Sequence, residues 1–190
     1  MELTLPDLQE KLKAWDGCAL SKNANAVLGE GNPNADVLFI GEAPGQREDE
    51  LGRPFVGAAG KFLDELIESM GWKRAQVYIS NVVKYRPPDN RDPTPEEKAE
   101  CMPWLMLEIA IIKPKVIVPL GRHSLGHFYP KLSISTAHGN PHKLTDDVTV
   151  FPIYHPAAAL HNGNLRQSLL DDFAKLKSFL ESHGITPPTE

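Results

Sequence analysis

The chain has 190 residues, of which 41% are hydrophobic and 24% charged, and its formal net charge at pH 7 is −5. This length supports one good hydrophobic core, so we expect a single domain over residues 1–190, and the acidic balance argues against a general polyanion binder without excluding a local basic face. No apolar run approaches the roughly 20 residues that span a bilayer, no basic signal-peptide start is present, and two cysteines are too few for a disulfide scaffold, which together predict a cytoplasmic protein without a membrane partner.

Strand-like and helix-like segments alternate along the chain. Apolar residues run continuously in the predicted strands and recur at helical spacing in the predicted helices. In chain order the elements are a helix at 4–15, a strand at 37–40, a helix at 58–70, a strand at 77–83, a helix from 95 to 112, a strand at 116–120, a helix at 122–129, a strand at 148–154 and a helix at 165–180. This alternation predicts an α/β fold with a mostly parallel sheet covered by helices on both faces.

Local signals set several boundaries of these elements. Thr94 precedes Pro95 and Glu97, an arrangement typical of an N-cap, a first helical residue and a capping-box partner. Prolines after residue 85 end the second strand, because proline lacks the amide hydrogen that a ladder needs. Pro103 predicts a kink in the following helix, and residues 184–190 are predicted to be disordered.

A polar or glycine-bearing motif follows each of the four predicted strands. The motifs are Gly-Glu-Ala-Pro-Gly at 41–45, Asn81, Gly-Arg at 121–122 and His-Pro-Ala-Ala-Ala at 155–159. In an open α/β sheet, ligands bind at the carboxyl ends of the strands. The motifs therefore predict one pocket that holds the Glu42 carboxylate, the Asn81 amide and the His155 imidazole.

Each candidate side chain has a functional and a structural interpretation. Glu42 can accept a proton from water or stabilise a cation, or it can brace its loop. His155, made extended by the following proline, can donate to a developing negative charge or be a structural histidine. The Asn81 amide suits a nucleobase edge but can also pair with the backbone, and Phe55 is either a core residue or a stacking platform for a flat ligand.

Other chemistries have weaker support in the sequence. His138 and His142 are separated by Gly-Asn-Pro, which is not helical, so the spacing of a helical zinc motif is absent. The chain has no Gly-Lys-Ser/Thr phosphate loop and no nucleophile elbow.

Taken together, six motifs resemble those of the family 4 uracil-DNA glycosylases over roughly residues 18–179. They lie at 41–45, 52–57, 81–84, 86–88, 90–93 and 155–158. The resemblance implies a three-layer fold with a central, parallel four-stranded sheet flanked by helices. It also implies excision of uracil from single- or double-stranded DNA by a monomer.

The resemblance implies a role for each candidate in the pocket. Glu42 would position the attacking water and stabilise the sugar cation, while His155 would stabilise charge on uracil O2. Phe55 would stack on the flipped-out base, and Asn81 would read its edge. Three backbone amides and one side chain complete the implied uracil site: Gly41, Ala43 and Gly45 hold the base or a phosphate, and Glu48 crowds the 5-methyl group of thymine.

DNA contacts are implied outside the pocket. A base inside a duplex must be flipped out before chemistry, and Leu160 is the apolar candidate that would fill the vacated stack. The predicted phosphate contacts are Lys84, Arg86, Arg122 and Arg166, each of which could instead be a solvated surface charge.

One feature departs from the resemblance. The family usually holds a [4Fe–4S] cluster on four cysteines, and the motifs place those positions at Trp15, Cys18, Tyr85 and Cys101. Indole is not a ligand and such clusters require four thiolates, so no metal or cluster is expected. Trp15 and Tyr85 are expected to fill the volume by packing, and a Cys18–Cys101 disulfide is not expected in a reducing cytosol.

Two other functions compete with uracil excision. One is a uracil-DNA-binding or crosslinking protein with little turnover, but the chain runs directly from residues 85–88 to 90–93 without an inserted basic loop. The other is a degenerate DNA-binding module, against which the intact Glu42, Phe55, Asn81 and His155 argue.

Overall fold

A computed structural model describes residues 3–189 of the chain. The helices are α1 (Leu5–Lys13), α2 (Gln46–Leu51), α3 (Ala58–Ser69), α4 (Pro95–Ile112), α5 (Arg122–Phe128), α6 (Ile134–Ala137), α7 (Pro156–Ala159) and α8 (Gly163–Ser182); the strands are β1 (Glu30–Gly31), β2 (Val37–Gly41), β3 (Tyr78–Asn81), β4 (Val116–Pro119), β5 (His142–Lys143) and β6 (Thr149–Val150). None of the helices within this part of the chain has the length and apolarity to cross a bilayer.

The strands form one sheet in the order β1-β3-β2-β4-β6-β5. Its four central strands, β3, β2, β4 and β6, are parallel, while β1 and β5 pair antiparallel at the two edges. The predicted α/β fold is confirmed, and the four predicted strands are the parallel centre of a six-stranded sheet. Sequence analysis missed β1 and β5 because neither two-residue strand lies in a longer apolar run. The predicted strand at 148–154 is shorter in the structure, where β6 covers Thr149–Val150 and Ile153 adds one isolated parallel bridge to Leu120.

The core lies on both faces of β2. Successive side chains of a strand point to opposite faces, and every residue of β2 is buried. Val37 and Phe39 pack in the cluster that includes residues of α3 and α8. Leu38 and Ile40 pack in the second cluster, which includes residues of α1 and α4. The helices therefore cover both faces, as the alternation of elements predicts.

The predicted boundaries hold where local signals are strong. Thr94 Oγ1 accepts from the Glu97 amide, and the Glu97 carboxylate accepts from the Thr94 amide, so the predicted capping box begins α4. The helix continues through Pro103 to Ile112. Strand β3 ends at Asn81, two residues earlier than predicted.

The C-terminal segment corrects one prediction. Ile185 is buried within the cluster around α3 and α8, and Gln76 Nε2 donates to the Pro188 carbonyl over 2.9 Å. The predicted disorder of residues 184–190 is therefore wrong for the part that packs on the domain, and Glu190 lies outside the described residues.

A candidate active site at the carboxyl ends of the strands

A cavity of about 400 Å³ opens at the carboxyl ends of β2 and β3. It is lined by Glu42, Asn81 and His155, the three side chains that the strand-end argument grouped, and also by Phe55. The fourth motif lies beside it: Gly121 and Arg122 line an adjoining cavity of about 260 Å³ that shares Glu42 and His155. Further residues lining the first cavity are Ala43, Pro44, Gly45, Glu48, Ala59, Pro87, Asn90, Arg91, Asp92, Ala157 and Ala158.

Gly41 allows two of these side chains to meet over the end of β2. It pairs in parallel register with Asn81, and a Cβ atom at this position would collide with both the Phe55 ring and Asn81 Oδ1. Glycine is the residue that permits such a close approach. The Phe55 ring is buried and stacks on the His155 ring, with 5.6 Å between ring centroids.

His155 is held as a neutral hydrogen-bond donor. It caps the N-terminus of α7, where its Nδ1 accepts from the Ala157 amide over 3.1 Å. An accepting Nδ1 places the ring proton on Nε2. Burial lowers the pKa of His155 to about 4, so the ring is neutral at physiological pH and Nε2–H remains free to donate.

The Glu42 carboxylate lines the cavity in an environment that resists its ionisation. Burial, reinforced by the negative charge of Asp92, raises the pKa of Glu42 to about 7, while the cations Lys98 and Arg122 oppose the shift. A group that titrates near neutral pH suits general acid–base chemistry.

His123 is a neighbour of Glu42 that the sequence analysis missed. Its Nε2 lies 3.6 Å from Glu42 Oε2 and 3.1 Å from Asp92 Oδ2. Lys98 Nζ lies 2.8 Å from His123 Nδ1, and Arg122 Nε donates to His123 Nε2 over 3.2 Å, so two cations also contact this ring. The available signal was its position, directly after the Gly-Arg motif at the end of β4.

Glu48 lines the cavity with part of its carboxylate committed to the loop. Its Oε1 accepts from the backbone amides of Val56 and Gly57, at 2.9 and 2.8 Å. The carboxylate thereby ties α2 to the residues that follow Phe55.

Comparisons with known proteins show the family to which the chain belongs. The family model described as the uracil DNA glycosylase superfamily matches residues 28–178. A type-4 uracil-DNA glycosylase of Sulfurisphaera tokodaii is 47% identical over 97% of this chain and 86% of its own length. One from Thermotoga maritima is 46% identical over 93% of this chain and 95% of its own. The chain belongs to the family 4 uracil-DNA glycosylases.

A solved structure supports the fold of this glycosylase. The crystal structure of Pedobacter heparinus SMUG2 matches with a TM-score of 0.52 at 14% identity, covering 80% of this chain and 77% of that one. At this identity the likeness concerns the fold alone.

The candidate DNA contacts of the glycosylase fall into two groups. Four are at the surface: Leu160 and Arg122 are exposed, Arg86 donates to Asn90 Oδ1, and Arg166 lies 4.3 Å over the Phe62 ring. Lys84 is different, and the predicted phosphate contact is wrong for it. Its side chain is fully buried, ion-paired with Glu108 and bonded to Ser80 Oγ and the Asn81 carbonyl, because the chain folds it back under β3.

The four positions expected to hold cysteines meet in a packed region, which we call the aromatic corner (Trp15, Cys18, Tyr85 and Cys101). The Trp15 and Tyr85 rings lie 6.0 Å apart, and Tyr85 Oη donates to the carbonyls of Leu12 and Trp15. Both cysteines are buried and free, with no disulfide among the described residues.

The aromatic corner does not fit an iron–sulfur cluster. Cluster ligands are thiolates, and among these four positions only Cys18 and Cys101 carry a thiol. The Tyr85 hydroxyl is already bonded to two backbone carbonyls. The indole of Trp15 and the hydrogen-bonded phenol of Tyr85 occupy two of the four positions at which a cluster would require thiolates.

Proposed function

We propose that this protein is a cytoplasmic, monomeric uracil-DNA glycosylase that hydrolyses the N-glycosidic bond of uracil in DNA and leaves an abasic site. The observation that carries the proposal is the meeting of Glu42, Phe55, Asn81 and His155 in one cavity of a family 4 chain. The arrangement supplies a stacking surface, an amide, a neutral donor and a carboxylate, which are the groups that such a hydrolysis requires.

The cavity suits recognition of a flipped-out base. Stacking on an aromatic ring is worth about 1–3 kcal/mol per base, and Phe55 offers such a ring at the cavity wall. The Asn81 amide accepts from uracil N3–H and donates to O4, whereas cytosine presents the reverse pattern. Glu48 crowds the 5-methyl group of thymine, and the backbone amides of Gly41, Ala43 and Gly45 face the base or its phosphate.

His155 stabilises the leaving base. As the bond between C1′ and uracil N1 breaks, its electron pair passes to the base and negative charge develops on O2. The Nε2–H of neutral His155 donates to this oxygen without a prior change of protonation. A preorganised donor of this kind contributes about 10²–10³ in rate.

Glu42 acts on the sugar side of the reaction. Its ionised carboxylate stabilises the oxocarbenium-like sugar and orients the water whose oxygen bonds to C1′, and the released proton passes to the carboxylate. Because the pKa of Glu42 is about 7, the ionised fraction rises through neutral pH. The rate of base release is therefore expected to rise across the same range.

DNA enters over the surface around the cavity. Arg86, Arg122 and Arg166 contact phosphates of single- or double-stranded DNA, and Leu160 fills the vacated stack. Exposed cations of this kind give affinity without sequence preference.

We propose in addition that the enzyme holds no [4Fe–4S] cluster. The support is the ligand set, in which an indole and a phenol stand in place of two of the four thiolates. Protein purified anaerobically is expected to be colourless and to lack iron and acid-labile sulfide, and stoichiometric iron and sulfide would contradict the proposal.

A base-release assay tests the function directly. Single-stranded, U:G and U:A oligonucleotides are incubated with excess enzyme, and free uracil, covalent complex and non-covalent binding are measured in parallel. Free uracil together with an alkali-labile abasic site supports the proposal. A covalent complex, or binding without release in every substrate, would identify a crosslinking or binding protein instead.

A further inference from the structure

Phe55 adopts a backbone conformation that bulky residues rarely take. Its φ is 50°, in the left-handed region. For an aromatic L-residue this conformation is strained, and it persists only where the surroundings hold it. The strain lies at the residue whose ring forms the wall of the cavity.

Arg74 holds this strained segment from outside the cavity. It comes from the short 3₁₀ turn Arg74–Gln76 that precedes β3. Its guanidinium donates from Nη2 to the Pro54 carbonyl over 2.6 Å and from Nη1 to the Phe55 carbonyl over 2.9 Å. Nη1 also donates to Asp64 Oδ1 over 2.9 Å, which orients the group.

The opposite side of the same segment is held by an anion. Glu48 accepts from the amides of Val56 and Gly57, so two successive carbonyls bind a cation and the next two amides bind a carboxylate. Gly60 of α3 lies directly beneath, where a Cβ atom would collide with the Phe55 carbonyl. The backbone around Phe55 is thus fixed by groups from three separate elements.

We propose that Arg74 is a positioning residue for base binding, because its guanidinium fork fixes the left-handed backbone that turns the Phe55 ring into the cavity. The inference rests on the proposed stacking of uracil on Phe55. A lysine cannot replace the fork, since one ammonium group cannot reproduce the planar pair of donors that bridges two carbonyls. Arg74 does not line the cavity, so its effect on the base passes through Phe55.

Arg53 provides a matched control for charge and location. It belongs to the same loop and binds Glu30 over 2.6 and 2.7 Å, the same carboxylate that lies 3.7 Å from Arg74 Nε. The hydrogen bonds of its guanidinium go to that carboxylate. Arg53→Ala therefore removes a neighbouring cation while leaving the bonds from Arg74 to the loop in place.

The experiment is a double-mutant cycle on the full chain. The inhibition constant of free uracil and the single-turnover rate on uracil-containing DNA are measured for the parent, Arg74→Lys, Phe55→Ala and the double variant. Because stacking is worth about 5–150-fold in binding, Arg74→Lys is expected to weaken uracil inhibition by about tenfold. The same substitution is expected to have little effect in the Phe55→Ala background, and Arg53→Ala little effect in either.

Different outcomes overturn different statements. Additive losses from Arg74→Lys and Phe55→Ala, or an equal loss from Arg53→Ala, would refute the positioning role while leaving the stacking role intact. Unchanged uracil inhibition in Phe55→Ala would refute the stacking itself, and the inference with it. If Arg74→Lys does not fold, Arg74→Ala is assayed with millimolar guanidinium, which should restore uracil inhibition only where Phe55 is present; failure to restore it would count against the proposal.

Discussion

The cavity and the aromatic corner are two regions built on the same segment of chain. Asn81 ends β3 and faces the cavity, and Tyr85 lies four residues further on, in the corner. In the cavity the side chains predicted for uracil excision meet, including the strained Phe55 and a carboxylate, Glu42, whose pKa is raised to about 7. In the corner, two of the four positions predicted from the resemblance to hold cysteines carry an indole and a phenol.

The difference shows which demands come from chemistry and which from packing. The cavity must place particular atoms against a base and a sugar, so residue identity matters there. The corner has only to join α1 to the loop after β3, and buried aromatic area with two hydrogen bonds achieves this. Substitutions in the corner should therefore cost stability, and substitutions in the cavity should cost rate or selectivity.

The largest effect is expected in the corner. Trp15→Ala empties a packed site against Tyr85 and Trp104 and should lower the free energy of unfolding by about 3–5 kcal/mol, measured by urea denaturation. The single-turnover rate well below the melting temperature should stay close to the parent's. An unchanged unfolding midpoint would show that Trp15 does not close the corner.

The next effect is expected in the cavity, where a substitution should lower the reaction rate and not the stability. His155→Ala should reduce the single-turnover rate by about 10²–10³, because it removes a preorganised donor to the leaving base. Binding to uracil-containing DNA should fall much less, since the interaction strengthens in the transition state. Near-parental rates in both His155→Ala and Glu42→Ala would move the chemistry away from this cavity and favour a binding protein.

A smaller change is expected in selectivity. Asn81→Asp replaces an amide donor with an acceptor, which disfavours uracil O4 but can accept from the amino group of cytosine. Uracil release should slow by about 5–150-fold, the usual 1–3 kcal/mol of a base-edge contact, and slow cytosine release should become measurable. Equal uracil release by the variant and the parent would exclude Asn81 as the reading residue.

The smallest change is expected in the pH profile. Asp92→Asn removes a negative charge that, after burial, raises the pKa of Glu42, so the carboxylate should ionise at lower pH. The rate at pH 6 should rise by about two- to fivefold, since one pKa unit corresponds to a tenfold change in the ionised fraction on the acid side. The rate at pH 9 should not change, because Glu42 is ionised in both forms, and a uniform change at all pH values would contradict this account.

Sequence patterns predicted the parallel centre of the sheet and the residues that meet at its edge, because both depend on periodicity and on where strands end. They did not predict α2, which buries none of its residues and so has no apolar stripe. They also missed His123, whose relation to Glu42 depends on how α5 sits against the loop after β2. Lys84 was misread because its partner, Glu108, lies 24 residues away on α4.

Lys84 also connects the cavity to the aromatic corner. Its side chain holds the Asn81 carbonyl, its amide donates to Cys101 Sγ over 3.4 Å, and its ion pair with Glu108 is fully buried. Opening this segment would leave an unpaired charge in the interior, which costs about 3–5 kcal/mol. The amides of Val82 and Val83 should therefore exchange with deuterium only through global unfolding. Asn81, the predicted reading residue, belongs to the same segment, so local opening should not disturb base selection while the protein stays folded.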